Sequence, residues 1–188
     1  TSGPNASVFG TLGRATRGDA TAIGFQAQAL GIDATAVGKG AIANQSDAVA
    51  LGSDAIASGL GSTALGDATT ASGANTTALG VAADASGSDA IAIGKTAKAS
   101  GIYSISIGAE SNASGRSSTA LGDRSISSAN DSTALGKGAE ATDISASAVG
   151  TESLSSGIGS LAVGTYTTAT KNASSAIGAR AEATAQSS

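Results

Sequence analysis

The chain has 188 residues, no His, Cys, Met or Trp, a single proline and a formal net charge of −4, a composition far from the globular average. Without His or Cys there is no soft metal site, no thiol nucleophile, no Ser-His or Cys-His dyad and no disulfide framework. Lys and Arg are scattered singly, which argues against nucleic-acid binding, and the short apolar runs predict neither a transmembrane helix nor a signal peptide.

One phrase recurs along the chain. Asp19-Ala20-Thr21-Ala22-Ile23-Gly24 returns as Asp33-Ala34-Thr35-Ala36-Val37-Gly38 and again as Asp47-Ala48-Val49-Ala50-Leu51-Gly52. The glycine that closes it, here called the marker, stands at Gly10, Gly24, Gly38, Gly52, Gly66, Gly80, Gly94, Gly108, Gly122, Gly136, Gly150, Gly164 and Gly178, always fourteen residues apart. An unbroken period of this length is the signature of a repeat architecture. Thr1 is not a natural start and the repeat runs close to both ends, so the chain reads as a piece of something longer, a single domain over residues 1–188.

The residue before each marker is bulky and apolar, from Phe9, Ile23 and Val37 through to Val163 and Ile177. Two before, eleven of thirteen are Ala, with Val8 and Ser106 the exceptions, and three before, six are Thr. Such a segment predicts a strand of four or five residues closed by glycine. A second strand is predicted after the marker: three and five residues on, the side chains are small, while the residue between them varies freely (Arg14, Gln28, Ile42, Ile56, Thr70 onward). Seven residues after the marker, glycine recurs in seven repeats, and the expectation there is a corner needing positive φ.

Each repeat is then strand, turn, strand, turn, and one copy has no partner for its own backbone. Stacked copies make a parallel β-solenoid with two walls per coil. The second wall alternates small and variable residues, as a water-facing sheet does. The marker wall has no charged column, so it is expected to be covered by a neighbour beyond its own roll, which predicts an obligate homo-oligomer.

Phrases such as Ser88-Asp89-Ala90-Ile91-Ala92-Ile93-Gly94 and Tyr103-Ser104-Ile105-Ser106-Ile107-Gly108 resemble the YadA-like head repeat of trimeric autotransporter adhesins, over about residues 7 to 184. Thr often replaces that family's aliphatic residue three before the glycine, and the Ser after its motif is commonly Ala. The resemblance implies an all-β fold, a left-handed parallel β-roll of fourteen-residue two-strand coils assembled as a homotrimer. It also implies a parent protein on the surface of a Gram-negative bacterium, held in the outer membrane by a stalk and anchor absent from this sequence. The implied role is adhesion and virulence, with collagen, other extracellular-matrix proteins or host cells as partners.

Single columns of the repeat admit other readings. The Asp nine after the marker (Asp19, Asp33, Asp47, Asp89, Asp131) suggests calcium, but it stands alone and gives way to Gly61, Ser117 or Gly159, so turn capping is the simpler reading. The Thr column resembles ice-binding solenoids, though on a wall expected to be covered. A hexapeptide-type acyltransferase needs a different period and a His, so no catalytic, cofactor or metal residue is assigned and no enzyme is expected. The Asn-x-Ser/Thr triplets, at Asn44 and Asn75 for example, follow from composition. Candidate ligand contacts are Ile42 and Ile56, expected to touch across adjacent coils, with Ile126, Leu154 and the corner residue Tyr103. Leu60, Ile102, Ile144 and Ile158 fall at a second corner. The marker glycines are assigned a structural role. An alternative function is a passive spacer that presents another head domain, because ligand sites often sit on loops that break a repeat.

Overall fold

The structure, a computed structural model, describes residues 3–184; residues 1–2 and 185–188 of the predicted domain lie outside the described residues. Two units are distinguished, Thr1–Thr96 and Ala97–Ser188. The first contains β1 (Ser7–Phe9), β2 (Arg14–Ala15), β3 (Thr21–Ile23), β4 (Gln28–Ala29), β5 (Thr35–Val37), β6 (Ile42–Ala43), β7 (Val49–Leu51), β8 (Ile56–Ala57), β9 (Thr63–Leu65), β10 (Thr70–Ala71), β11 (Thr77–Leu79), β12 (Asp84–Ala85) and β13 (Ile91–Ile93). The second contains β14 (Lys98–Ala99), β15 (Ile105–Ile107), β16 (Asn112–Ala113), β17 (Thr119–Leu121), β18 (Ile126–Ser127), β19 (Thr133–Leu135), β20 (Glu140–Ala141), β21 (Ser147–Val149), β22 (Leu154–Ser155), β23 (Leu161–Val163), β24 (Thr168–Ala169), β25 (Ser175–Ile177) and β26 (Glu182–Ala183). Within each unit the odd-numbered strands form one parallel sheet and the even-numbered strands the other, a parallel β-solenoid fold with about thirteen turns in all.

Register follows the sequence period. In the first unit Thr21 pairs with Thr35 and Ala22 with Ala36; in the second Thr119 pairs with Thr133 and Ala120 with Ala134. The strands are shorter than predicted, three residues on the marker side and two on the other. The corners take up the rest, and they continue the hydrogen-bond ladder: the Gly38 N–H donates to Ile23 C=O at 2.8 Å and Gly40 N–H to Phe25 C=O at 2.9 Å. Backbone pairing thus runs around the coil rather than only along its walls.

Each coil is two similar halves. One tight turn runs from the marker glycine to the third residue after it, as in Ala41 N–H to Gly38 C=O, and a second lies seven residues on, as in Ala48 N–H to Gln45 C=O. The third residue of each turn has positive φ, Gly40 at +67° and Asp47 at +59°. This is the place that type II turns reserve for glycine or asparagine. The Asp column is therefore a left-handed corner: Asp19, Asp33, Asp89 and Asp131 all have φ between +55° and +57°. Asp and Asn visit that region more readily than other side chains.

The glycines seven after the marker correct the sequence reading. Among Gly31, Gly59, Gly73, Gly101, Gly115 and Gly157 none has positive φ; instead, a Cβ there would overlap backbone of the next coil, Gln45 in the case of Gly31 and Gly73 in the case of Gly59. Glycine is used there for close approach, and the left-handed residue sits two positions later. The marker glycines need both properties: Gly80 has φ +129°, and an added Cβ would lie 2.6 Å from Gly94 O.

The interior holds only small side chains. Ala20, Ala22, Ala27 and Ala29 are fully buried, and so are their equivalents in most later coils; the largest fully buried side chains are Thr69, Thr76 and Thr167. Opposite walls of so short a coil lie too close for a leucine, and packing at crystal-like density then demands alanine, serine or threonine. Inward hydroxyls are mostly bonded to the coil itself. Ser62 Oγ donates to Gly59 C=O at 2.7 Å, and Ser160 Oγ donates to Gly157 C=O at 2.7 Å.

Candidate ligand-contact and assembly faces

The bulky residue before each marker points outward. In the first unit Ile23, Leu51, Leu65 and Leu79 are exposed and Val37 and Ile93 half-buried; in the second Leu121 and Ile177 are exposed and Ile107, Leu135, Val149 and Val163 half-buried. Leu51 retains 41% of its surface and Leu121 43%. The residue three before the marker shares this outward face and is half-buried in β3, β5, β9, β11, β17 and β19, where it is Thr. So the marker sheet presents alternating columns, one of Thr, Ser or aliphatic side chains and one of bulky apolar side chains, with no charged residue among them. A stripe of this kind, continued over many coils, is the surface that protein interfaces cover.

The second sheet is different. Its outward column runs Arg14, Gln28, Ile42, Ile56, Thr70, Asp84 in the first unit and Lys98, Asn112, Ile126, Glu140, Leu154, Thr168 in the second. Ile42 and Ile56 are register partners on β6 and β8, both half-buried, as a lateral aliphatic pair requires. Ile126 and Leu154 are not brought together, because Glu140 pairs with both and stands between them. Tyr103 is at a corner with φ +60° and keeps 54% of its surface. Ile144 and Ile158 are about half exposed, and the ladder joins their corners: Gly159 N–H donates to Ile144 C=O at 2.9 Å. Leu60 and Ile102 are similarly exposed at the equivalent corner.

Exposed side chains that column reading passed over include Ile32, in the corner column of Leu60 and Ile102, and Leu12, Phe25, Val81 and Tyr166, at the corner just after the marker. That corner also carries a groove in each unit. In the first, about 480 Å³ lies between Leu12, Arg14, Gln26 and Gln28 beside Gly40; in the second, about 430 Å³ lies around Ile126 beside Gly138. Each groove opens where glycine interrupts the row of side chains two after the marker. Among the described residues no group of three or more carboxylates is placed to hold one metal ion, and no helix is long and apolar enough to cross a membrane.

The chain is similar to known proteins in sequence and fold. The YadA head domain repeat matches residues 15–41, 29–55, 57–83, 85–111, 113–139, 127–153, 141–167 and 155–181. The crystal structure of the collagen-binding domain of the Yersinia adhesin YadA is 33% identical, with a TM-score of 0.61, over 66% of this chain and 69% of that one. No curated protein matches.

Proposed function

The chain belongs to the YadA head domain repeat family, a binding and structural family rather than an enzyme family, and on that premise we propose that this adhesin head works as a homotrimer attaching a Gram-negative cell to collagen, other matrix proteins or host cells. The outward aliphatic column of the marker sheet carries the reading. In water it is costly, since fully burying a leucine contributes ~1.5–3 kcal/mol, so covering the exposed two-fifths of Leu51 or Leu121 contributes about 1 kcal/mol at each coil. Three chains that turn this sheet toward one another cover the column and the half-buried Thr beside it. The second sheet and the corners stay in water, and a trimer presents each of their features in triplicate. Many weak contacts then add up through effective concentration.

Ile42 and Ile56 are the proposed centre of the ligand-contact face, with Ile126, Leu154 and Tyr103 further along it. The collagen-binding domain to which the chain is similar supports a matrix protein as the ligand. Light scattering over a dilution series tests the assembly: a mass of three chains that persists is expected. A folded monomer would overturn it and return the half-buried Thr column to water, where ice binding becomes the reading to test. Binding to collagen-coated surfaces tests the ligand, and Ile42→Ser with Ile56→Ser is expected to weaken it.

A second reading rests on the unbroken fourteen-residue register, in which no loop interrupts the repeat to build a site. In that reading the segment is a spacer that holds another domain away from the cell. A trimer that ignores collagen and cell surfaces alike would favour it.

A further inference from the structure

We propose that Asp–Lys ion pairs between chains join the edges of the marker sheets and set the height at which one copy of this chain sits against the next; the proposal rests on the homotrimer reading and adds which residues meet. Three seven-residue phrases carry it. Asp33-Ala34-Thr35-Ala36-Val37-Gly38-Lys39, Asp89-Ala90-Ile91-Ala92-Ile93-Gly94-Lys95 and Asp131-Ser132-Thr133-Ala134-Leu135-Gly136-Lys137 each place an Asp before a marker strand (β5, β13, β19) and a Lys after it. All six charged residues are exposed. None forms a salt bridge within its own chain, where Arg124 to Asp123 is the only one among the described residues. Of the six side chains Asp89 is the one with a hydrogen bond, from Asn75 Nδ2 at 3.1 Å.

The two corner columns match in charge. Lys39, Lys95 and Lys137 are all the lysines one after the marker, and each stands six residues after an Asp. The same column holds Asp67 and Asp123, and these stand six after the neutral Gly61 and Ser117. Left-handed φ explains why Asp is admitted at its corner, but Asn75, Tyr103, Ser117 and Ala173 take the same conformation there, so the turn does not account for the lysines. In a cyclic trimer three sheets facing one axis meet edge to edge, the leading corner of one against the trailing corner of the next. Between those corners lies the outward apolar stripe that the assembly covers. A coil rises ~4.8 Å, so each Asp lies roughly 2 Å in height from the neighbouring chain's residue six later and roughly 3 Å from its residue eight earlier. Height barely separates these two registers; charge does. Between the two columns the first register gives three opposite-charge pairs and no like pair. The second gives one opposite pair, Asp47 with Lys39, and sets Asp131 against Asp123. Asp47 has no cation in the first register, where it faces Ser53 beside Asp54.

The test is charge reversal in the whole chain, read by light scattering over a dilution series at low salt. Where dilution does not dissociate the parent, the guanidinium midpoint at matched concentration reads the same order. Reversing one side (Asp33→Lys, Asp89→Lys and Asp131→Lys) or the other (Lys39→Asp, Lys95→Asp and Lys137→Asp) should raise the concentration at which the trimer dissociates by roughly tenfold or more, as the loss of nine exposed pairs implies. All six reversals together should return it to that of the parent. The combined variant carries the same lysines at the left-handed corners, so misfolding cannot explain a loss in one and a return in the other. In 1 M salt the Debye length is about 3 Å, and parent and half-reversed variants should come together. Asp131→Asn, which tolerates the same φ, should weaken assembly roughly threefold, whereas Asp47→Asn should not. Half-reversed variants that assemble like the parent, a combined variant no better than either half, or an equal loss for Asp47→Asn would each overturn the seam while leaving the trimer standing. A parent chain that is itself a folded monomer would overturn the homotrimer reading, and the seam with it.

Discussion

Two inward hydroxyls separate a satisfied from an unsatisfied interior. Ser104 and Ser118 lie in the column four before the marker, and both are fully buried. Their Oγ atoms have no hydrogen-bond partner among the described residues. Ser160, in the same column, donates to Gly157 C=O at 2.7 Å and accepts from Gly157 N–H at 3.1 Å. The same column is alanine in another coil, where Ala146 is also fully buried, so alanine fits the space. An orphaned buried hydroxyl costs ~1–3 kcal/mol, whereas a typical bonded one contributes ~0.5–1.5 kcal/mol net. Ser118→Ala should therefore stabilise the fold by about 1 kcal/mol or more per chain, and Ser160→Ala should destabilise it by about as much or more. Guanidinium unfolding followed by far-UV circular dichroism reads both, at matched protein concentration because the stability of the proposed oligomer would depend on it. The midpoint is expected to rise for Ser118→Ala and fall for Ser160→Ala. If Ser118→Ala loses stability as Ser160→Ala does, the Ser118 hydroxyl has a partner and the reasoning fails.

Gly80→Ala and Gly159→Ala form a matched pair for the unfolding midpoint. Gly80 has φ +129° and a Cβ clash with Gly94, so its replacement should cost several kcal/mol; Gly159 has φ +63° and nothing within 4 Å, so its replacement should cost ~1–2 kcal/mol. Equal effects would show that close approach between coils is not what the marker glycine provides. Leu65→Asp with Leu79→Asp places two charges on the outward face of β9 and β11, harmless to an isolated coil stack but not to a covered sheet; light scattering should show a smaller particle, and an unchanged trimer mass would rule out this stripe as the seam. Asp33, at φ +55°, should lose ~1 kcal/mol as Ala and little as Gly, with no calcium effect on the midpoint. A calcium-dependent rise that Asp33→Ala removes would revive a metal role for that column.

The period, the register and the two sheets could be read from the sequence, because a fourteen-residue repeat without insertions fixes which residues stack. The same logic made Ile42 and Ile56 neighbours, and they are register partners. Alternation could not say which alternate set points inward. The usual expectation places the bulkiest apolar column inside, yet Ile23 and Leu51 face outward while Ala22 and Ala50 fill the roll. Size uniformity carried that information. The inward columns hold only residues up to the size of threonine in nearly every coil, which signals confinement. The column of Phe9, Ile23, Val37 and Leu51 varies in shape and volume, as side chains do where the walls of the roll do not limit them. The groove was hidden for a related reason: it depends on a side chain that is missing at Gly138 and on two columns that meet only when the corner bends. Serine was ambiguous in the same way, since Ser118 and Ser160 occupy one column and differ only in whether the hydroxyl finds a carbonyl. Confinement explains the narrow roll, and it is the reason to propose a homotrimer. A coil too narrow for its own aliphatics must display them, and the proposed homotrimer would gain stability by covering that column in every turn.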